Sequence, residues 1–196
     1  MIKCFNLLLL LLLLSTGCKQ KLGIQGNQPI GDTALYYPVK FYLQEQIREN
    51  DLRNLPRTLH YSLNGKKAER IINRDSFLLF SQSFLDVIEI FSNNKFRFSE
   101  TVMHDLSTQS YTLSYRPIQA NSGEIDYIDI LLNEKTQLVK RIDIRSNKRE
   151  EGKLINEHFS WRTDKGFLIT RATELKDSNL TEVIDVSWEL QNRQPL

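Results

Sequence analysis

The sequence predicts an α+β fold: N-terminal helices packed on a long antiparallel β-meander of about seven strands, built as an open half-barrel or curved sheet. Three observations carry this. Before residue 94, two stretches repeat apolar side chains three or four positions apart, the period of one helix face. Between them, Asn64-Gly65 separates two short alternating runs, the pairing that a tight hairpin turn selects. From about residue 95 the rhythm changes to strand-length runs divided by turn residues, with joints mostly too short for a crossover helix. At 196 residues the chain has room for one well-buried domain once its first residues are set aside. Its net charge of +2 is spread over interleaved bases and carboxylates, which gives no overall field favouring nucleic acid or an acidic membrane face.

In chain order, residues 1–17 read as a signal peptide. Lys3 supplies the basic start, a run from Phe5 to Leu14 contains eight consecutive leucines, and Ser15, Thr16 and Gly17 are the small residues a signal peptidase requires. At 1.5 Å per residue this run covers only about half of a roughly 30 Å hydrocarbon core, so it is too short for a permanent span. Leu14-Ser15-Thr16-Gly17-Cys18 resembles the lipobox of bacterial lipoproteins, departing at Ser15, where that family most often has an aliphatic residue. The resemblance implies cleavage between Gly17 and Cys18 and acylation of the Cys18 thiol. It also implies a membrane partner held through acyl chains such as palmitate. Lys19-Gln20-Lys21 places no acidic residue at the second mature position. By the same resemblance this implies a cell-envelope protein of the outer membrane, facing the periplasm. The chain has two cysteines, Cys4 and Cys18, so a mature body would hold neither a disulfide nor a thiolate metal site.

Residues 18–33, rich in Gly and poor in apolar side chains, read as a flexible tether, followed by one α+β domain over 34–190 and a short tail, 191–196. Within 34–93, Tyr36, Val39, Leu43 and Ile47 mark an amphipathic helix with Pro38 at its first turn. The hairpin about Asn64-Gly65 comes next. Then Phe77, Phe80, Phe84, Ile88 and Phe91, widened by Leu78 and Leu85, form a helix apolar over more than half its circumference, with Asp75 as a candidate cap. Over 94–190, seven strands follow, with turns at Leu106-Ser107, Asn121-Ser122-Gly123, Asn133 to Lys135, Lys148 to Gly152, Asp164 to Gly166 and Lys176 to Asn179. A meander carrying Phe159, Trp161, Ile184 and Trp188 needs a cover, and the two helices are available.

The chemistry is sparse. No nucleophile elbow, phosphate-cradling loop, dinucleotide fingerprint or zinc-helix motif occurs. His60, His104 and His158 fall on separate elements without ligand spacing, and His104-Asp105 would point to opposite faces of a strand. Glu124 and Asp126 share a strand face, and Asp129 and Asp143 could meet across neighbouring strands, the pattern for carboxylate acid-base work and also for a solvated sheet face. No catalytic residue, metal or cofactor is expected. The element order behind a lipid anchor resembles small Bacteroidota envelope lipoproteins and, in architecture alone, the half-barrels of lipoprotein carriers. The first resemblance implies a non-catalytic binding or scaffold module for another envelope protein or a lipid. The second implies a carrier holding an acyl chain in a cavity lined by Phe77, Phe80, Phe84, Ile88, Phe91, Phe159, Trp161 and Trp188. An envelope enzyme using the carboxylates is the remaining expectation.

Overall fold

The computed structural model describes residues 36–119, 124–175 and 178–188. The leader, Gly17, Cys18, the tether, the Asn121-Ser122-Gly123 turn, the tail and part of the last turn lie outside the described residues.

Helix α1 spans Val39–Arg53 and buries Val39, Leu43, Ile47 and Asn50, the three-to-four spacing of one face. Pro38 precedes the first helical residue, where its missing N–H has no consequence. The helix stops at Asn54, whose left-handed backbone (φ 47°) closes the last turn. Strands β1 (Arg57–Leu63) and β2 (Lys66–Ile72) form the expected hairpin, and Asn64 and Gly65 both take positive φ, 47° and 81°, as a two-residue turn matched to strand twist demands.

Helix α2 spans Arg74–Asn93. Its cap is Asn73, whose side chain accepts a 2.9 Å bond from the Ser76 N–H; Asp75, the expected cap, lies inside the first turn, where its charge still faces the positive helix end. A single 3₁₀ turn, Lys95–Arg97, leads into the meander: β3 (Phe98–Asp105), β4 (Ser110–Pro117), β5 (Ile125–Asn133), β6 (Val139–Glu150), β7 (Lys153–Arg162), β8 (Gly166–Glu174) and β9 (Asn179–Trp188). The joint expected over Lys148 to Gly152 contracts to Glu151-Gly152, both at positive φ, so β6 and β7 run longer than the charge cluster suggested.

All nine strands form one open, curved antiparallel sheet in the order β2-β1-β9-β8-β7-β6-β5-β4-β3. The seven-stranded meander is present, and the hairpin extends it to nine by pairing β1 with β9, from Arg57↔Trp188 to Leu63↔Glu182. The free edges are β2, fully exposed but for Ile72 and carrying Lys66, Lys67, Glu69 and Arg70, and β3. Charge along β2 discourages pairing with another chain.

The strands alternate buried and open residues, and one face carries Ile128, Ile130, Ile142, Ile144, Phe159, Trp161, Phe167, Ile169, Ile184, Val186 and Trp188. Helix α2 lies on this inner face. Phe84 meets Phe159, Trp161 and Phe167 edge-on with ring centroids 5.3 to 5.4 Å apart, and Phe77 meets Trp188 at 5.8 Å. Farther along, Phe91 packs on Phe98 and Tyr115. Helix α1 runs antiparallel to α2: Lys40 at its start pairs with Glu89, and Asp51 at its end takes two bonds from Arg74 of 2.6 and 2.7 Å.

Candidate functional site

The eight apolar residues expected to line a cavity converge, as a solid core. Phe77, Phe84, Ile88, Phe91, Phe159, Trp161 and Trp188 are all buried in ring-to-ring or helix-to-sheet contact, and Phe80 is half-buried at the flank of α2. Rings at these separations are in direct packing contact between helix and sheet, the arrangement of a packed core. Of the eight, only Phe159 also borders a depression described in this structure.

That depression is polar. It opens where the inner face runs past the apolar stripe of α2, encloses about 300 Å³, and has Ser83, Asp86, Val87 and Ile90 of α2 on one side and β6, β7 and β8 on the other. Strand alternation puts Ser146, Glu157, Arg171 and Glu182 in one cross-strand row on the inner face. Glu157 is buried, and two of its neighbours are cationic: Arg171 Nε lies 2.7 Å from Oε1, and Lys148 Nζ lies 4.0 Å from Oε2. The guanidinium also donates to Glu182 at 3.1 Å and to Ser83 Oγ at 3.3 Å, tying the helix to three strands. Burial acts against the Arg171 charge, but the bonds to Glu157 and Glu182 outweigh it and hold the group above its ordinary range.

Arg171 is thereby a fixed strut of the floor, with a bond from each of its three nitrogens to a protein acceptor. The mouth is different. Lys148 lies 2.9 Å from Glu150, a bond that raises its pKa, so the amine stays protonated and suits an anionic group better than it suits proton abstraction. Arg149, Asp86 and Glu124 complete a lining of both signs. Such a surface can orient a polar ligand by paired charge and hydrogen bonds.

The four carboxylates singled out in the sequence do not share this cleft. Asp129 and Asp143 are cross-strand partners, as the spacing allowed, but on the outer face: Arg116 holds Asp129 with two bonds of 2.8 and 3.0 Å, and Arg141 holds Asp143 at 2.5 Å. Asp126 sits at a bulge in β5 and accepts from Asn147 at 2.6 Å. Only Glu124 borders the cleft. Each histidine finds a carboxylate that linear spacing did not reveal: His60 with Glu69 at 3.3 Å, His104 with Glu134 at 3.2 Å, His158 with Asp143 at 3.7 Å. The three lie apart on separate strands, and among the described residues no group of three or more His, Cys, Asp or Glu side chains is arranged to hold a metal.

Fold and site together define an α+β protein in which two helices cover an open nine-stranded antiparallel sheet and leave a charged cleft at one end of the covered face. No family model, curated protein or solved structure matches the chain. Among the described residues, no helix is long and apolar enough to cross a membrane.

Proposed function

We propose that this chain is a lipid-anchored protein of the cell envelope, facing the periplasm, whose domain is a binding module for another envelope component. The observation that supports a binding role is the row of charged side chains on the inner face of the sheet, braced by Arg171 and open to solvent at Lys148. Charged groups on a concave face are costly to desolvate, and here the sequence keeps them beside an aromatic core that could have been continued. The ligand that suits the cleft is small, polar and charged with both signs, presented free or as the tip of a larger partner. The tightly filled aromatic core weighs against the carrier reading. Anchoring rests on the run Leu7 to Leu14 followed by Gly17-Cys18.

Two measurements test the proposal together. Cells expressing the chain are grown with a palmitate analogue: label is expected on the protein and lost in Cys18→Ala, and an unlabelled wild type overturns the anchor. Native mass spectrometry of gently purified protein is expected to show a polar adduct that Lys148→Glu removes. An adduct with the mass of a fatty acid or phospholipid, retained in Lys148→Glu, would sink the polar-cleft reading in favour of the carrier.

A further inference from the structure

We infer that Phe96 and Ile118, flanked by Lys95 and Arg97, form a membrane-docking patch that seats the domain on the anionic bilayer surface beside its own anchor; this rests on the anchored reading proposed above. Phe96 is 73% exposed and Ile118 64% exposed, and the two line one shallow depression at the end of the sheet. Backbone structure fixes their juxtaposition: the Ile118 N–H donates to the Arg97 carbonyl at 2.8 Å, which joins the 3₁₀ turn to the end of β4. A large aromatic at the middle of a three-residue turn, between two basic residues, is held outward by the turn itself, while Phe98, two residues on, points into the core. The Arg97 guanidinium lies 5.8 Å from the Phe96 ring centroid, and neither Lys95 nor Arg97 has a carboxylate partner among the described residues. Apolar groups ringed by unpaired cations suit the boundary between acyl chains and anionic headgroups.

What selects a bilayer as the occupant is where the chain arrives. Tyr36, the first described residue, donates its hydroxyl to the Phe98 carbonyl at 2.8 Å, two residues along from Phe96, and the Tyr37 N–H donates to the Tyr115 hydroxyl at 3.0 Å. The segment leading back to Cys18 therefore reaches the domain on the same side as the patch. Only residues 19–35 separate Cys18 from Tyr36, and a coil of that length would span about 20 Å, which would keep attachment point and patch within reach of one membrane surface. A weak contact held at such a distance acts at high effective concentration, and a few apolar atoms then suffice to fix orientation. The exposed Ile71 on β2 lacks these features: it is 77% exposed but lies on the opposite edge of the sheet, away from the point of arrival.

The test uses the chain from Lys19 onward with a hexahistidine tag in place of the lipidated cysteine, held on vesicles of phosphatidylcholine with about a quarter phosphatidylglycerol and a trace of nickel-chelating lipid. This format is independent of Cys18 chemistry, so its outcome and that of the palmitate experiment are separable. No native cysteine remains in this chain, so Phe96→Cys and Ile71→Cys each carry a single environment-sensitive fluorophore. The label at position 96 is expected to brighten several-fold and shift to the blue on the vesicles, while the label at 71 does not change. Lys95→Glu with Arg97→Glu is expected to abolish the change at 96 while circular dichroism and thermal unfolding stay as in the parent. An unchanged signal at 96, or an equal change at 71, overturns the patch. So does a change at 96 that appears without vesicles and grows with protein concentration, because the occupant would then be a second copy.

Discussion

At the scale of single residues, the backbone at Gly166 is decided by its neighbour across the sheet. Its φ of 149° is a conformation L side chains rarely adopt, and an added Cβ would stand 2.2 Å from the Val186 carbonyl oxygen. Gly166→Ala is therefore expected to destabilise the fold by at least about 2 kcal/mol, read as a lowered midpoint in urea unfolding at unchanged slope. Gly65 is the contrast. It also has positive φ but nothing lies within 4 Å, so Gly65→Asn should move the midpoint far less. The turn at Asp164 to Gly166 was legible as turn chemistry, whereas the close approach of β9 that makes Gly166 irreplaceable was not, because it depends on which strand lies beside β8. The same holds for Arg171. Its parity with Ile169 placed it on the inner face, yet its partners Glu157, Glu182 and Ser83 come from two other strands and a helix.

At the scale of elements, α2 shows how far periodicity reaches. The stripe from Phe77 to Phe91 was readable because every member recurs at three or four positions, and the structure buries all of it but Phe80, with Phe77 and Phe84 against Phe159, Trp161, Phe167 and Trp188. Phe84, which touches three aromatic rings of the sheet, carries the largest share of this contact. Phe84→Ala is expected to cost about 3–5 kcal/mol, and Leu79→Ala, exposed on the same helix, less than about 0.5 kcal/mol, both by chemical unfolding. Ser81 interrupts the stripe: it is fully buried and its hydroxyl has no partner among the described residues. A pattern built on apolar residues passes over such a position. What the pattern also could not decide was whether a broad aromatic stripe encloses a cavity or fills one. That depends on side-chain volumes meeting from both sides, and here two tryptophans and two phenylalanines fill the gap.

At the scale of the whole molecule, titration of the tyrosines that join α1 to β4 sets an alkaline limit. Burial, then the charge of Tyr42, pushes the Tyr37 hydroxyl up to about 12, and burial pushes Tyr115 upward as well. In the unfolded chain both ionise near 10. Between those values the unfolded state loses its protons first, so this contribution to stability is fully present below pH 10 and is lost as pH rises from about 10 through 12. Tyrosinate absorbance is expected to develop in two stages, with the later stage coinciding with loss of the circular dichroism signal. A single early rise with the fold intact would contradict it. The architecture itself was largely legible, because seven strands and two helices each announce themselves locally. The ninefold sheet was not, since nothing local in Arg57–Leu63 names β9 as its neighbour.

That pairing of β1 with β9 has a temporal side. Residues 57–63 meet residues 182–188, and the bond from Tyr61 to Glu182 spans 121 positions, so the first strand made by the ribosome waits for the last. Helix α2 waits too, because Trp161, Phe167 and Trp188 are all synthesised after it. Until the C-terminal strand exists, Phe77 lacks its Trp188 partner and β1 its second neighbour, and long-range closure of this kind is slow. The hairpins of the meander are local and can form as they emerge, whereas closure of the nine-stranded sheet is left to the final segment of the chain.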